Sequence, residues 1–356
     1  MTTSSCYHCD GETLERFLAL RDEAIAHATA ASLAAWPDFF TRRGPRAHEA
    51  CAEDIAFHLD FLRPALETGD LSSFTAYLGW LAQVLSSRGI AGDSLPRSLD
   101  DLAAFFAGRL AGAAAPVVAA LTAARTALDG GLPAPSYDRP CPDSWEEADP
   151  FRKAVLAGQR REASALFNRA LDRQGSLPAA EIHVIQPALY EVGRGWQENR
   201  VSVAQEHLAT AMAQSLMAQG FARVEPAADN GRKALFACPA GNRHSVGLRM
   251  VADAFEISGW TVYYLGANVP LPALIDQIKQ LQPDLVGLSA SLPQQLRGLR
   301  EALAALRTSF AAGGPRLVVG GLVFNQFPLL AQSVGAELLG EDALGAAAAA
   351  SALPSA

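Results

Sequence analysis

The fold is decided by the stretch Lys233–Gly247, which reads KALFACPAGNRHSVG. Its first half, KALFACPA, is a short continuous apolar run, a pattern typical of a strand that is buried on both faces. The second half is small and polar, and a helical pattern over residues 245–258 follows it. A buried strand that leads through a loop into a helix predicts one unit of a parallel sheet.

The same alternation continues to the end of the chain. Strand patterns recur as TVYYLG, DLVGLSAS, PRLVVGG and AELLG, and they are separated by helical patterns at 271–281 and 293–311 and by a short helix. An Ala-rich helix closes the chain. We therefore predict a doubly wound parallel sheet with helices on both faces over residues 232–356. Sheets of this kind bind ligands at the carboxyl ends of their strands.

The residues before this domain have helical patterns only. They divide into residues 1–130 and residues 147–225, with a segment rich in Pro and Gly at 131–146 that predicts a linker. The second region contains four helical patterns, at 147–157, 160–174, 179–199 and 203–222. The predicted fold class is α plus α/β, with an all-helical N-terminal domain, a four-helix cap and a C-terminal parallel sheet.

Two local signals refine the four-helix region. Pro187 lies inside the third pattern and predicts a kink, because proline removes one helical hydrogen bond. Ser202 and Gln205 have the spacing of a capping box, which predicts that the fourth helix starts there.

Composition restricts the function classes. The 356 residues carry a formal net charge of −8 and no run of Lys or Arg, so we predict no direct contact with nucleic acid. Charges interrupt the apolar stretches, and the N-terminus lacks a signal pattern, which predicts a cytoplasmic protein without a membrane partner. Five cysteines, an odd number, argue against a disulfide framework.

Candidate ligand-binding residues follow the predicted strands. A histidine on a loop at the carboxyl edge of the sheet, His244, is expected to point into the ligand crevice, although a surface loop histidine is the alternative. Glycines in such loops let a bulky flat ligand approach the backbone, although each alone is more often a simple turn. The candidates in these loops are Asn242, His244, Gly247, Gly266, Ser289, Ser291, Gly320 and Gly321.

Taken together, these residues resemble the cobalamin-binding domain of corrinoid proteins. That pattern is an acidic residue, any residue, His, two residues and Gly, then a Ser after the third strand and Gly-Gly after the fourth. The resemblance implies that His244 is the lower axial ligand of cobalt and that Ser289 lies along the displaced dimethylbenzimidazole tail. Arg243 and Ser245 flank the histidine and belong to the same candidate site. Asn242 replaces the acidic residue, and we expect its oxygen to orient the imidazole ring without supplying charge.

The segment Trp196–His207, WQENRVSVAQEH, raises a second question. The capping box predicts a loop that returns Glu206 and His207 toward Trp196. The spacing resembles the helical cap of light-sensing CarH-type proteins, in which Trp is followed after nine residues by Glu-His. The resemblance implies that Trp196 packs over a 5′-deoxyadenosyl group, that Glu206 contacts its ribose or base, and that His207 lines the pocket. The alternative is a core tryptophan, a carboxylate at a helix N-terminus and a polar histidine.

One residue departs from that pattern. In the DNA-binding photoreceptors a histidine follows the tryptophan and ligates cobalt after illumination, whereas this chain has Gln197. Because glutamine is a poor ligand for cobalt, the expected form after illumination has water or another group in that place, and His183 and His207 are the histidines available in the region.

The N-terminal region has a histidine on an apolar helical face. Cys51, Ile55, His58, Leu59, Leu62 and Leu66 share that face. With the domain order, this resembles the photocobilins, which hold biliverdin beside adenosylcobalamin. The resemblance implies a globin-like or phycobiliprotein-like domain in which Asp54 faces pyrrole N–H groups and His58 stacks on the tetrapyrrole. The aromatic residues expected to flank that plane are Phe57, Phe61, Tyr77 and Trp80. Haem with His58 as a ligand, or an ordinary helical core, are the alternatives.

These features predict a light sensor rather than an enzyme. Adenosylcobalamin is expected between cap and sheet, and light-driven cleavage of its cobalt–carbon bond is expected to change cap packing and quaternary structure. The expected partners are further copies of the chain, in a light-dependent manner, and an unidentified downstream protein. A corrinoid protein of a methyltransferase system and a cobalamin-binding antirepressor without bilin are the alternatives.

Overall fold

The computed structural model describes residues 6–90, 92–132, 143–310, 313–327 and 329–353. The chain forms two compact units, residues 1–137 and 138–356. Most of the predicted linker, 131–146, lies outside the described residues.

The first unit is helical throughout its described part. Its helices are α1 (Gly11–Ala19), α2 (Arg21–Ala35), α3 (Pro37–Arg43), α4 (Pro45–Thr68), α5 (Ser72–Ser87), α6 (Ser94–Leu110) and α7 (Ala115–Asp129). The predicted apolar face of α4 is buried at Ile55, Leu59 and Leu62. α2 packs against both α4 and α6. The all-helical prediction is confirmed for the described residues, and the globin-like likeness stays a prediction.

The second unit begins with the helical cap. Its helices are α8 (Ala148–Leu156), α9 (Arg160–Gln174), α10 (Leu177–Ala180), α11 (Gln186–Gln197) and α12 (Val203–Phe221). A π-helical turn, Glu181–Ile185, joins α10 to α11, and Pro187 lies in the first turn of α11. The predicted distortion therefore lies before the proline, because the proline ring clashes with the carbonyl group four residues earlier and the wider turn relieves that clash.

The rest of the second unit is a five-stranded sheet. Its strands are β1 (Lys233–Pro239), β2 (Thr261–Val269), β3 (Leu285–Ser289), β4 (Arg316–Gly320) and β5 (Glu337–Leu338). All neighbouring pairs are parallel, and the order is β2-β1-β3-β4-β5. This order reverses direction between β1 and β3, so the crevice at their carboxyl ends is the expected ligand site.

Helices cover the sheet on both faces. They are α13 (Val246–Ile257), α14 (Leu271–Leu281), α15 (Leu296–Ser309), α16 (Leu322–Gln326), α17 (Leu329–Val334) and α18 (Ala343–Ser351). Phe236 and Cys238 of β1 point into a core that includes α13, α18 and the cap helices. Leu235 and Ala237 point into the opposite core, with α14 to α17. The cap and the sheet therefore share one hydrophobic core.

None of the helices in the described part of the chain is long and apolar enough to cross a membrane.

Candidate functional site

His244 lies in the loop between β1 and α13, and the buried side chain of Asn242 anchors that loop. The Asn242 Nδ2 donates a hydrogen bond to the carbonyl oxygen of Ser289 at 2.8 Å, and its Oδ1 accepts one from the His244 backbone N–H at 2.9 Å. Because Ser289 ends β3, this amide ties together the two strands that border the crevice. The expected contact of Asn242 with the imidazole ring is not what the structure shows, since its oxygen holds the His244 backbone instead.

Neighbouring strands hold the same loop from two further sides. The Cys238 Sγ contacts the His244 carbonyl oxygen at 3.7 Å, and the Tyr264 hydroxyl donates to the Ser245 carbonyl oxygen at 3.0 Å. The Asn268 side chain accepts a hydrogen bond from the Gly241 N–H at 2.8 Å. The backbone around His244 is therefore fixed by β1, β2 and β3 together.

The imidazole of His244 favours its neutral form. Its side chain is exposed, yet the surrounding protein atoms desolvate the charged ring and lower its pKa, an effect that the Glu206 carboxylate partly opposes. A neutral imidazole is the form that ligates metals. Glu206 belongs to α12 of the cap, so cap and sheet residues face each other at this position.

The two glycines at the carboxyl end of β4 differ in their surroundings. Gly321 has a φ of +102°, and a Cβ there would lie 2.2 Å from the Ala290 carbonyl oxygen. A Cβ at Gly320 or at Gly247 would meet nothing within 4 Å. Gly321 thus allows two loops to touch, whereas Gly320 and Gly247 border open space.

The other predicted edge residues lie close to the same crevice. Ser289 and Ser291 are both buried, and the Ser291 N–H donates to the Gln295 side chain at 2.8 Å. Gly266 does not end the second strand as predicted, because β2 continues to Val269. It pairs with Ala237 where the register shifts, with a φ of +75°, so it forms an irregularity inside the strand.

The predicted loop after Trp196 is present. Trp196 is partly buried against the core shared by cap and sheet. The N–H groups of Arg200 and Val201 both donate to the Gly195 carbonyl oxygen, at 2.8 and 3.0 Å, which folds the chain back on the end of α11. The predicted capping box is confirmed, with Ser202 and Gln205 bonded at 2.9 and 3.2 Å.

Within α12, neighbouring side chains orient Glu206. Its Oε1 accepts a hydrogen bond from the Thr210 hydroxyl at 2.9 Å, and its Oε2 contacts the Nδ1 of His207. His207 is largely exposed. His183 is occupied elsewhere, since its ring stacks on Trp145 and its Nδ1 contacts the Asp143 carbonyl oxygen at 2.7 Å.

A separate cavity lies in the first unit. It has a volume of about 160 Å³ and is partly open to solvent. The lining is Ser32, Trp36, Phe39, Phe40, Arg43, Ala47, Ala50, Cys51, Asp54, Ile55, His58, Leu81, Leu85, Ile90, Ser94, Leu95 and Ser98. Asp54 and His58, which the sequence predicted as a pair, therefore both line this cavity.

Burial sets the charge of this pair. It raises the pKa of Asp54 to about 6 and lowers that of His58 to about 3. The Nδ1 of His58 lies 2.8 Å from the Tyr77 hydroxyl, so the imidazole is a neutral, hydrogen-bonded core group that also borders the cavity.

The aromatic residues at the cavity are not those that the sequence pattern suggested. Phe57 is exposed, and Phe61 stacks on Tyr77 with ring centroids 4.0 Å apart. Trp36, Phe39 and Phe40 line the cavity instead. The guanidinium of Arg43 lies 4.6 Å from the Phe39 ring centroid. In the sequence, these cavity residues could have been recognised from the aromatic and basic run WPDFFTRR, residues 36–43.

Comparison with known families identifies the class of the second unit. Residues 232–348 match the B12 binding domain, and residues 147–219 match a second B12 binding domain model. The cap and the sheet therefore form a cobalamin-binding module.

Three curated relatives describe that module further. The chain is 35% identical over 200 residues to the HTH-type transcriptional repressor CarA of Myxococcus xanthus, covering 55% of this chain and 66% of the relative. It is 30% identical to the repressor CarH of the same organism, covering 51% and 59%. It is 28% identical to dimethylamine corrinoid protein 3 of Methanosarcina acetivorans, covering 29% and 47%. The module is thus CarH-like, and the chain spans less than two thirds of the length of these relatives.

These relatives bear on two further predictions. CarA and CarH are regulators rather than enzymes, which confirms the prediction of a non-enzymatic protein. The prediction of no direct contact with nucleic acid is wrong, because both repressors are of the helix-turn-helix, DNA-binding type. The net charge of −8 sums over the whole chain, whereas DNA contact depends on a local basic surface.

The residues at the β1–β3 crevice fit a cobalamin. A neutral imidazole, His244, lies on a loop that three strands hold, and open space at Gly247 and Gly320 leaves room for a flat ligand near the backbone. His244 is the residue of this loop with a suitable nitrogen donor for cobalt.

Proposed function

We propose that this protein is a light sensor with a regulatory output, and that it binds adenosylcobalamin between the helical cap and the sheet domain. The observation that carries the proposal is the position of His244 on a loop held by three strands at the β1–β3 crevice, where Glu206 of the cap is near enough for its charge to act on the imidazole. The likeness to the CarA and CarH repressors supports a regulatory role.

In this proposal an imidazole nitrogen of His244 would bind the cobalt, and Arg243, Ser245, Gly247, Ser289 and Ser291 would line the site around it. Gly266, Gly320 and Gly321 border the channel for its tail. Trp196, Glu206 and His207 cover the upper face. When bound, adenosylcobalamin supplies a cobalt–carbon bond that light cleaves. Loss of the adenosyl group would let Trp196 repack within the cap, and this would change the surface that the cap offers to other copies of the chain.

Illumination tests the proposal directly. We expect the purified full chain to bind adenosylcobalamin in the dark and to show a permanent change of the cobalamin absorption bands after green light, with a change in elution on size exclusion. The control is the same protein with hydroxocobalamin, which has no cobalt–carbon bond and should not respond. Unchanged bands after illumination of the adenosyl form would exclude the light sensor. A light-independent methyl transfer from bound methylcobalamin to a thiol would support the corrinoid-protein alternative.

We further propose that the cavity of the first unit binds biliverdin. The cavity combines an apolar, aromatic lining with one carboxyl group, Asp54, and one guanidinium, Arg43. This combination suits a tetrapyrrole that carries pyrrole N–H groups and propionates. The neutral ring of His58 would stack on the bilin.

Bilin affinity should depend on pH through Asp54. The carboxylate is the form that accepts a hydrogen bond from pyrrole N–H, and its pKa in the free protein is about 6. Affinity should therefore be full above pH 7 and about tenfold lower at pH 5, because only about a tenth of Asp54 is then ionised. Absorbance titration with biliverdin measures this, and Asp54→Asn should have a weak, pH-independent affinity.

The matched control for this experiment is Asp60→Asn. Asp60 lies on the same helix and pairs with Arg21 at 3.0 Å, but it does not line the cavity, so its replacement should leave the pH profile unchanged. Binding of haem in place of biliverdin would overturn the bilin assignment.

A further inference from the structure

Two buried carboxyl groups meet where the cap packs on the sheet domain. Glu181 lies in the π-turn of the cap and Asp253 in α13, and both are fully buried. The two groups are close enough for the charge of Asp253 to act on Glu181. Burial, and then the charge of Asp253, raises the pKa of Glu181 well above its ordinary value. Since Asp253 also pairs with Arg249 at 2.6 Å, which stabilises its charged form, the neutral form is favoured at Glu181.

Arg249 also contacts an aromatic ring of the cap and one of the sheet domain. Its guanidinium lies 5.7 Å from the ring of Phe221, the last residue of α12, and 5.4 Å from the ring of Tyr264 in β2. The carboxylate partner and two aromatic faces together hold this cation in one place.

Tyr264 then reaches the histidine loop. Its hydroxyl donates a hydrogen bond to the carbonyl oxygen of Ser245, the residue directly after His244. An unbroken series of contacts thus runs from the π-turn of the cap through Asp253, Arg249 and Tyr264 to the loop of the candidate axial ligand.

We propose that Glu181, Asp253, Arg249 and Tyr264 are positioning residues that couple the place of the helical cap to the place of the His244 loop. The proposal rests on the proposed cobalamin site and adds to it the route by which a repacked cap acts on the cobalt–histidine bond. Each of these residues acts through the loop and not as a ligand. Removal of the polar group at either end, by Glu181→Leu or Tyr264→Phe, should loosen the same loop.

The first measurement is the absorption spectrum of the full chain saturated with adenosylcobalamin. Wild-type protein should show the histidine-bound form, and each variant should show a mixture with the form that lacks the nitrogen ligand, with an affinity at least about fivefold weaker. Glu181→Gln should restore the wild-type spectrum, because the amide keeps a neutral hydrogen-bond donor.

Two matched variants separate positioning from a general loss of stability. Tyr263→Phe changes the neighbouring residue of β2, which packs into the opposite core, and should have no effect. Glu147→Leu removes another buried carboxylate of the cap, one that pairs with Arg173 at 2.8 Å, and should lower the melting temperature without altering the spectrum. An equal spectral change in Glu147→Leu would overturn the proposal.

The coupling itself is tested by combining Glu181→Leu with Tyr264→Phe. If both act through one connection, the loss of affinity in the double variant should be clearly smaller than the product of the two single losses. A loss equal to that product would contradict the connection.

A second measurement needs no cofactor. Hydrogen exchange over residues 240–247 of the cofactor-free full chain should accelerate severalfold in Glu181→Leu and in Tyr264→Phe, but not in Tyr263→Phe. Unchanged exchange in the first two would overturn the positioning role, whereas a wild-type protein that binds no cobalamin would overturn the proposed function alone.

Discussion

Replacement of His244 by alanine is expected to lower the affinity for cobalamin at least about 100-fold and to remove the histidine-bound absorption spectrum. Groups that only orient a metal ligand typically contribute 10- to 100-fold to metal affinity, and His244 is proposed as the ligand itself. The loop should survive the substitution, because Asn242, Cys238 and Tyr264 hold backbone atoms rather than the imidazole. Absorbance titration of the full chain with adenosylcobalamin in the dark measures both quantities.

The matched control is His183→Ala. His183 belongs to the same module, but its ring packs on Trp145 and contacts the Asp143 carbonyl oxygen, so its loss should leave the cobalamin spectrum unchanged. A wild-type spectrum in His244→Ala would remove His244 as the axial ligand. If the His207→Ala variant then lost that spectrum, His207 of the cap would be the cobalt ligand instead.

The order of elements in the second unit could be predicted because its signals are local. Each strand is a short apolar run, and each run is followed by a loop with glycine or polar residues and then by a helical pattern. The capping box at Ser202 was correct for the same reason, since both of its hydrogen bonds join residues three apart. Pro187 shows the limit, because its local rule predicts a distortion but not that a π-turn will absorb it.

Contacts between distant residues could not be predicted. The side chain of Asn242 is bonded to the Ser289 carbonyl, 47 residues away, and this pair exists because β1 and β3 are neighbours in the sheet. Glu181 and Asp253 likewise meet only after the cap has packed on α13. Position in the sequence gives the residue types at a site, whereas strand order and packing decide which atoms of those residues meet.

The cavity of the first unit was harder to predict from the sequence, again because residues of separate helices form it. The periodic pattern of α4 identified the buried face, but the aromatic side chains that complete the cavity come from α3 and the residue before it. Phe57 precedes His58 and is therefore rotated by about 100° around the helix, which places it on the exposed side.

Gly321→Ala is expected to reduce the free energy of unfolding of the cobalamin-binding module by about 3 kcal/mol or more. Its φ of +102° and ψ of 170° lie in a region that is almost restricted to glycine, and a residue forced into such a conformation costs about 1–3 kcal/mol. The added Cβ would also lie 2.7 Å from the Ser289 Oγ and 2.2 Å from the Ala290 carbonyl oxygen, a backbone atom that cannot rotate away. Thermal unfolding of the cofactor-free full chain measures the effect.

Its neighbour Gly320 provides the matched comparison, because a Cβ there meets no protein atom within 4 Å. Gly320→Ala should leave the melting temperature unchanged, and Gly320→Leu should lower cobalamin affinity without unfolding the free protein, since its side chain enters the space proposed for the cofactor. Equal destabilisation by Gly320→Ala and Gly321→Ala would mean that both glycines are needed for the fold at the end of β4 and that neither is there to leave space for a ligand. Full cobalamin affinity in Gly320→Leu would place the cofactor away from β4. The pair therefore separates a glycine that the backbone needs from one that the proposed ligand needs, although the two are adjacent in the chain.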